Sequence, residues 1–187
     1  MTRAILLAGL AAMANAGDTK CRALVLSGGG TNGAWEAGVV WGLTHYGDPK
    51  DYEWEVHTGI SAGSINTAGM VGWTPEQTVE ATQYLSDMWA SVDNSDVYRD
   101  WKGHGLEGFV DSCLTEISCL DTTPALEWLR GQLVNFEKVN RRFSVSAVDV
   151  NTGDVITFNQ TNTEYADIPQ AVLSSSSVPG AFPPQNF

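Results

Sequence analysis

The chain has 187 residues, 43% of them hydrophobic and 17% charged, with 19 glycines. That length and composition belong to a globular domain with a sizeable core, and they exclude a disordered or fibrous chain. With 22 acidic against 10 basic residues, the formal charge of −12 disfavours nucleic acid and exerts no pull toward anionic membranes.

Residues 1–16 read as a cleaved secretory signal peptide, leaving residues 17–187 as one domain. Met1-Thr2-Arg3 is a short basic start, Ala4 to Met13 is almost unbroken apolar sequence, and Ala14-Asn15-Ala16 places small residues where a signal peptidase reads. The apolar run is shorter than the roughly 20 residues of a membrane span. A secreted protein, or one of a secretory or vacuolar lumen, is therefore expected. Cys21, Cys113 and Cys119 fit an oxidising compartment, and the latter two lie close enough in a loop to pair. These cysteines and His45, His57 and His104 show no zinc-like spacing, so neither metal nor cofactor is expected. Asn159-Gln160-Thr161 is the one glycosylation sequon.

Ala23 to Leu26 reads as a strand running into Ser27 and three glycines. A helix follows from Thr31 to about Tyr46, with Trp35, Val39, Val40, Trp41 and Leu43 as its apolar positions and Gly47-Asp48-Pro49 ending it. Trp54 to Thr58 is a second strand. It enters Gly59-Ile60-Ser61-Ala62-Gly63 and a helix toward Val71. Thr74-Pro75-Glu76-Gln77 carries a cap, a first-turn proline and a capping-box glutamine for the next helix. Residues 91–121 are irregular, and Thr123-Pro124 opens a helix through Leu133. Phe143 to Val150 alternates, Asn151-Thr152-Gly153-Asp154 turns, and Val155 to Phe158 returns as a hairpin. Ile168 to Ser176 is the last helix. Strands alternating with helices predict an α/β layer structure, an α/β/α sandwich on a mostly parallel sheet.

Two glycine turns carry the chemistry. Gly28-Gly29-Gly30-Thr31-Asn32-Gly33 follows a strand and opens a helix, so its N–H groups face a helix N-terminus suited to an anion. That anion can be a phosphate or the oxyanion of an acyl intermediate. The spacing also satisfies a dinucleotide pattern. However, the next strand ends in Thr58 and Gly59 rather than in the acidic residue that would hold a ribose. Gly59-x-Ser61-x-Gly63 between a strand and a helix is a nucleophile elbow, with Ile60 and Ala62 flanking the serine. One helix and one strand apart, the turns reach the same sheet edge and read together as nucleophile Ser61 plus an oxyanion hole at Gly28, Gly29 and Gly30. No histidine triad is supported. His104 follows Ser61 too closely, His45 is a solvated helix-end residue, and His57 packs within the sheet.

These motifs resemble the patatin-like phospholipases. The resemblance runs from Cys21 to Phe187 on four ordered segments: Ser27 to Ala34, Gly59 to Gly63, Val148 to Gly153, and Ser175 to Pro184. It implies a patatin-like fold, incomplete at the C-terminus, and a Ser-Asp dyad that hydrolyses fatty-acyl esters of phospholipids or galactolipids. The substrate would be lipid at a membrane or micelle interface, with no nucleic-acid partner. The implied aspartate belongs to an Asp-Gly motif after the proline block, and no Asp-Gly dipeptide occurs in this sequence. The base is therefore expected outside this chain, Asp149 and Asp154 are expected to be structural, and the 187 residues alone are expected to be nearly inactive. Asn32 stands where relatives commonly carry a basic residue. A non-catalytic lipid-binding or storage relative, and more distantly a dinucleotide-binding domain, are the alternatives. Of seven tryptophans, Trp35, Trp41, Trp54, Trp89 and Trp128 are expected in the core, with Trp73 and Trp101 the candidates for a lipid-facing rim.

Overall fold

Ala23–Leu26 forms strand β1 and Val56–Gly59 forms β2, in parallel register with Leu26 opposite Gly59. The computed structural model describes residues 21–101, 105–133 and 136–187; the expected leader and His104 lie outside them. Helix α1 (Asn32–Tyr46) joins the two strands, and it is apolar nearly all round. Its buried stripe is Gly33, Ala37, Val40 and Thr44, while Trp35, Val39 and Leu43 stand 71%, 40% and 39% exposed. The expected core role of Trp35 is thus corrected. With apolar residues on every side, the helix turns inward the face whose small residues allow the closest approach.

Helix α2 (Ala62–Val71) is buried at every position except Ile65, as its run of Gly, Ala, Ser, Thr and Asn permits. Thr74 N–H donates to Gln77 Oε1 at 3.1 Å, which closes the expected capping box. The box starts a single 3-10 turn, Pro75–Gln77, and helix α3 (Thr78–Ser91) continues from it. Residues expected to be irregular contain α4 (Asn94–Val97), β3 (Arg99–Asp100), α5 (Leu106–Thr115) and β4 (Leu120–Asp121). These elements are too short for a period to show. A Cys113–Cys119 disulfide and an Arg99–Asp121 ion pair at 2.7 Å hold them, and Cys21 is a free, exposed thiol.

Helix α6 (Thr123–Leu133) starts where Asp121 accepts from the Thr123 N–H and hydroxyl. The hairpin of β5 (Arg142–Val148) and β6 (Val155–Asn159) pairs Val148 with Val155, and Gly153 in its turn has φ +78°. Helix α7 (Ile168–Ser176) is as expected. The main sheet runs β1-β2-β5-β6, with the first three strands parallel and β6 antiparallel. The α/β class and the mostly parallel sheet therefore match expectation.

Leu26, Phe143, Val145 and Phe158 on one sheet face are buried by the helices, whereas Val25, Val148 and Val155 on the other are 74%, 61% and 68% exposed. α2 lies centrally against β1, β2 and β5 and touches α1, α3, α6 and α7. Among the described residues no helix is long and apolar enough to cross a membrane.

Candidate active site

Ser61 sits between the end of β2 and the start of α2 with φ 55° and ψ −121°. It is the only non-glycine residue with positive φ among the described residues. Such a conformation costs about 1–3 kcal/mol and persists only where the surroundings over-determine it. Here they do. The Ser61 N–H donates to Ser175 Oγ at 2.9 Å, the Gly63 N–H to Ile60 O at 2.9 Å, and the Ser64 N–H to Ser61 O at 2.8 Å. A side chain at Gly59 would meet Gly63 O at 2.0 Å, and one at Gly63 would meet Leu26 O at 2.4 Å. The flanking glycines are thus sterically required, and Ile60 beside the serine is 56% exposed.

The Gly28–Gly30 turn abuts this elbow. A Cβ at Gly28 would lie 3.3 Å from Ser61 Cβ, and Gly30 takes φ +57°. Gly29 O and Gly30 O accept from the Asn32 and Gly33 N–H groups, both at 3.1 Å, which feeds the turn into α1. Among the described residues, no acceptor meets the N–H groups of Gly28, Gly29 or Gly30, and all three glycines are exposed. Donors fixed in place beside a hydroxyl, without partners of their own, can stabilise a developing oxyanion.

The turn is pinned by residues that sequence reasoning missed. Glu36 accepts from the Ser27 N–H at 2.8 Å and from Asn66 Nδ2 at 3.2 Å. Asn66 is fully buried; it also donates to Gly33 O at 3.1 Å and accepts from Trp89 Nε1 at 2.6 Å. The one available signal was Glu36, the sole carboxylate in α1 and α2. A buried asparagine requires partners.

Ser61 Oγ makes no hydrogen bond among the described residues. Asp149 instead accepts from the Asn151 N–H at 2.8 Å, while the Asp154 N–H donates to Thr152 Oγ1 and the Asp154 carbonyl accepts from the Asp149 N–H. His57 is fully buried, with Nε2 3.0 Å from Arg141 Nη1. Burial, and then the Arg141 charge, push its pKa down to about 3, so the imidazole is neutral at pH 7. His45 is half-buried rather than solvated, stacked on Trp41 with ring centroids 4.3 Å apart.

Arg141 donates to the carbonyls of Trp73 and Thr74 at 2.8 and 2.6 Å, and burial lowers its pKa to about 10. Trp73, a candidate for the rim, instead packs half-buried among Tyr84 and Phe136. Trp101 is 37% exposed. Among the described residues no group of His, Cys, Asp and Glu could hold a metal ion.

Residues 24–187 match the family described as "Patatin-like phospholipase". Among solved structures, the chain is similar to the heterodimeric ExoU-SpcU complex from the type III secretion system of Pseudomonas aeruginosa. That similarity has 18% identity and a TM-score of 0.45, and it covers 86% of this chain and 36% of that one. No curated protein matches the chain.

Proposed function

The chain belongs to the patatin-like phospholipase family, and on that premise we propose that it is the nucleophile-bearing part of a secreted lipid acyl hydrolase of phospholipase A or galactolipase type. The observation that carries this reading is the strained Ser61 at φ 55°, set against a glycine turn whose N–H groups are free. Ser61 Oγ attacks the acyl carbonyl of a lipid ester, and the tetrahedral oxyanion is received by N–H groups of the Gly28–Gly30 turn. The serine proton passes to a carboxylate, and the alkoxide of the leaving alcohol takes it up as the acyl-enzyme forms. Water then releases the fatty acid.

None of the described carboxylates is hydrogen-bonded to Ser61, and the base in this reading is the aspartate of an Asp-Gly motif, a dipeptide the 187 residues do not contain. In that case these residues alone turn over ester slowly. The Cys113–Cys119 disulfide supports a secreted protein. The test is covalent labelling with a fluorophosphonate, with Ser61→Ala as control. Labelling confined to Ser61 supports the reading, and an unreactive Ser61, in this chain and in one extended by an Asp-Gly segment, overturns it in favour of a lipid-binding relative.

A further inference from the structure

Asn159-Gln160-Thr161 has the Asn-x-Thr spacing of an N-glycosylation acceptor, without proline in the middle, and that spacing occurs once in the chain. A three-residue match also arises by chance in places that no oligosaccharide could occupy, so its setting in the fold decides. Asn159 is the last residue of β6, which lies at the edge of the main sheet among the described residues. Side chains alternate across a strand, so with Phe158 buried in the core Asn159 faces the other way. Its backbone carbonyl accepts from the Asn162 and Thr163 N–H groups at 3.2 and 3.0 Å, closing a turn directly after the strand. Gln160, Thr161 and Asn162 in that turn are exposed.

The side-chain amide of Asn159 is held by one end only. Oδ1 accepts from the Thr161 N–H at 2.8 Å and from Thr161 Oγ1 at 2.6 Å. A backbone N–H only donates, so the oxygen is the end turned toward Thr161. Among the described residues Nδ2 has no hydrogen-bond partner and is not one of the buried atoms lacking one, so solvent reaches it.

The position also stands clear of the nucleophile. Gly59 at the elbow is level with Val145, whereas Asn159 pairs with Ser144 on a strand antiparallel to β5. Beyond Asn159 the chain reaches back to Phe143, whose N–H donates to Gln160 Oε1 at 3.0 Å. That direction leads away from the sheet end where Ser61 lies.

We propose that Asn159 is an N-glycosylation site of this protein, an assignment that rests on the secreted reading above. In the transfer, Nδ2 bonds to the anomeric carbon of a lipid-diphosphate-linked oligosaccharide. The bond from that carbon to the diphosphate oxygen breaks, the lipid diphosphate leaves, and Nδ2 gives up a proton to a base of the host transferase. Oδ1 is not consumed, so both Thr161 contacts persist beside the glycan.

The whole chain with its own residues 1–16 is produced in cultured mammalian cells and recovered from the medium. Digestion with peptide N-glycosidase in heavy-oxygen water should lower its apparent mass and leave a heavy-oxygen Asp in place of Asn159. Thr161→Val should abolish the mass shift, and Thr161→Ser should keep it. An unmodified Asn159 in the secreted protein overturns the proposal. A chain retained in the cells with residues 1–16 uncleaved instead removes the secreted reading, and the site is then tested behind a foreign secretion leader. There, a glycan on Asn159 leaves the acceptor site standing, and a bare asparagine overturns it.

Discussion

The backbone N–H of Ser61 donates to the hydroxyl of Ser175 at 2.9 Å, tying the elbow to the last helix across 114 residues of chain. Ser61 is thus positioned by two distant segments, the Gly28–Gly30 turn on one side and the end of α7 on the other. The strain at its φ of 55° is borne by that clamp.

Ser175→Ala removes the acceptor and leaves a half-buried N–H without a partner. The expected loss is about 1–3 kcal/mol in urea unfolding, with slower fluorophosphonate labelling of Ser61. Ser176→Ala is the comparison, because Ser176 Oγ bonds to Val172 O and not to the elbow. It should leave the labelling rate unchanged. Equal labelling in the two variants would show that the clamp does not position the nucleophile.

Asn66→Ala strips three hydrogen bonds from the support of the oxyanion turn at once. Partners left unsatisfied in the interior should cost about 2–4 kcal/mol, seen as a lower melting temperature. Glu36→Gln retains an acceptor for the Ser27 N–H while losing the charge that strengthens it. Its effect should be smaller, about 1 kcal/mol or less.

Glycine substitutions divide by site. Gly63→Ala would place a methyl 2.4 Å from Leu26 O, so the variant should fail to fold or lose all labelling at Ser61. Gly38 and Gly42 lie mid-helix in α1, and an added Cβ there meets nothing within 4 Å. Gly38→Ala should therefore stabilise the protein by about 0.5–1 kcal/mol, read from the urea midpoint.

His57 makes stability depend on pH. Its pKa is about 3 in the folded protein against 6.5 when exposed, so between these values the unfolded chain binds a proton that the folded chain refuses. The stabilisation is complete above pH 6.5 and is lost as pH falls toward 3. Between pH 7 and about 5, a window above the ordinary carboxylate range, urea stability should drop by about 2 kcal/mol. His57→Gln keeps an acceptor for Arg141 and should flatten that slope.

Much of the order of elements was legible because it rests on local signals. The strand-to-glycine transitions at Leu26 and Thr58, the Thr74 capping box and the Asn151–Asp154 turn each lie within a few residues of the structure they specify. Helix α1 was legible as a helix but not in its orientation. Trp35 and Ala37 both fit an apolar face, and only packing against α2 and Trp89 selects the side with Gly33. The segment from Asn94 to Asp121 was missed for the opposite reason, since its pieces are too short for periodicity and are held by the disulfide and the Arg99 ion pair.

The sequence by itself determined that Ser61 stands on a strand-to-helix elbow and that a second glycine turn meets the same sheet edge, because both follow from residue type and spacing along one stretch of chain. Only the tertiary structure decided what holds that serine in place. Ser175, Asn66, Glu36 and Trp89 come from separate helices, and hydrogen bonds between side chains distant in sequence leave no period or spacing to read.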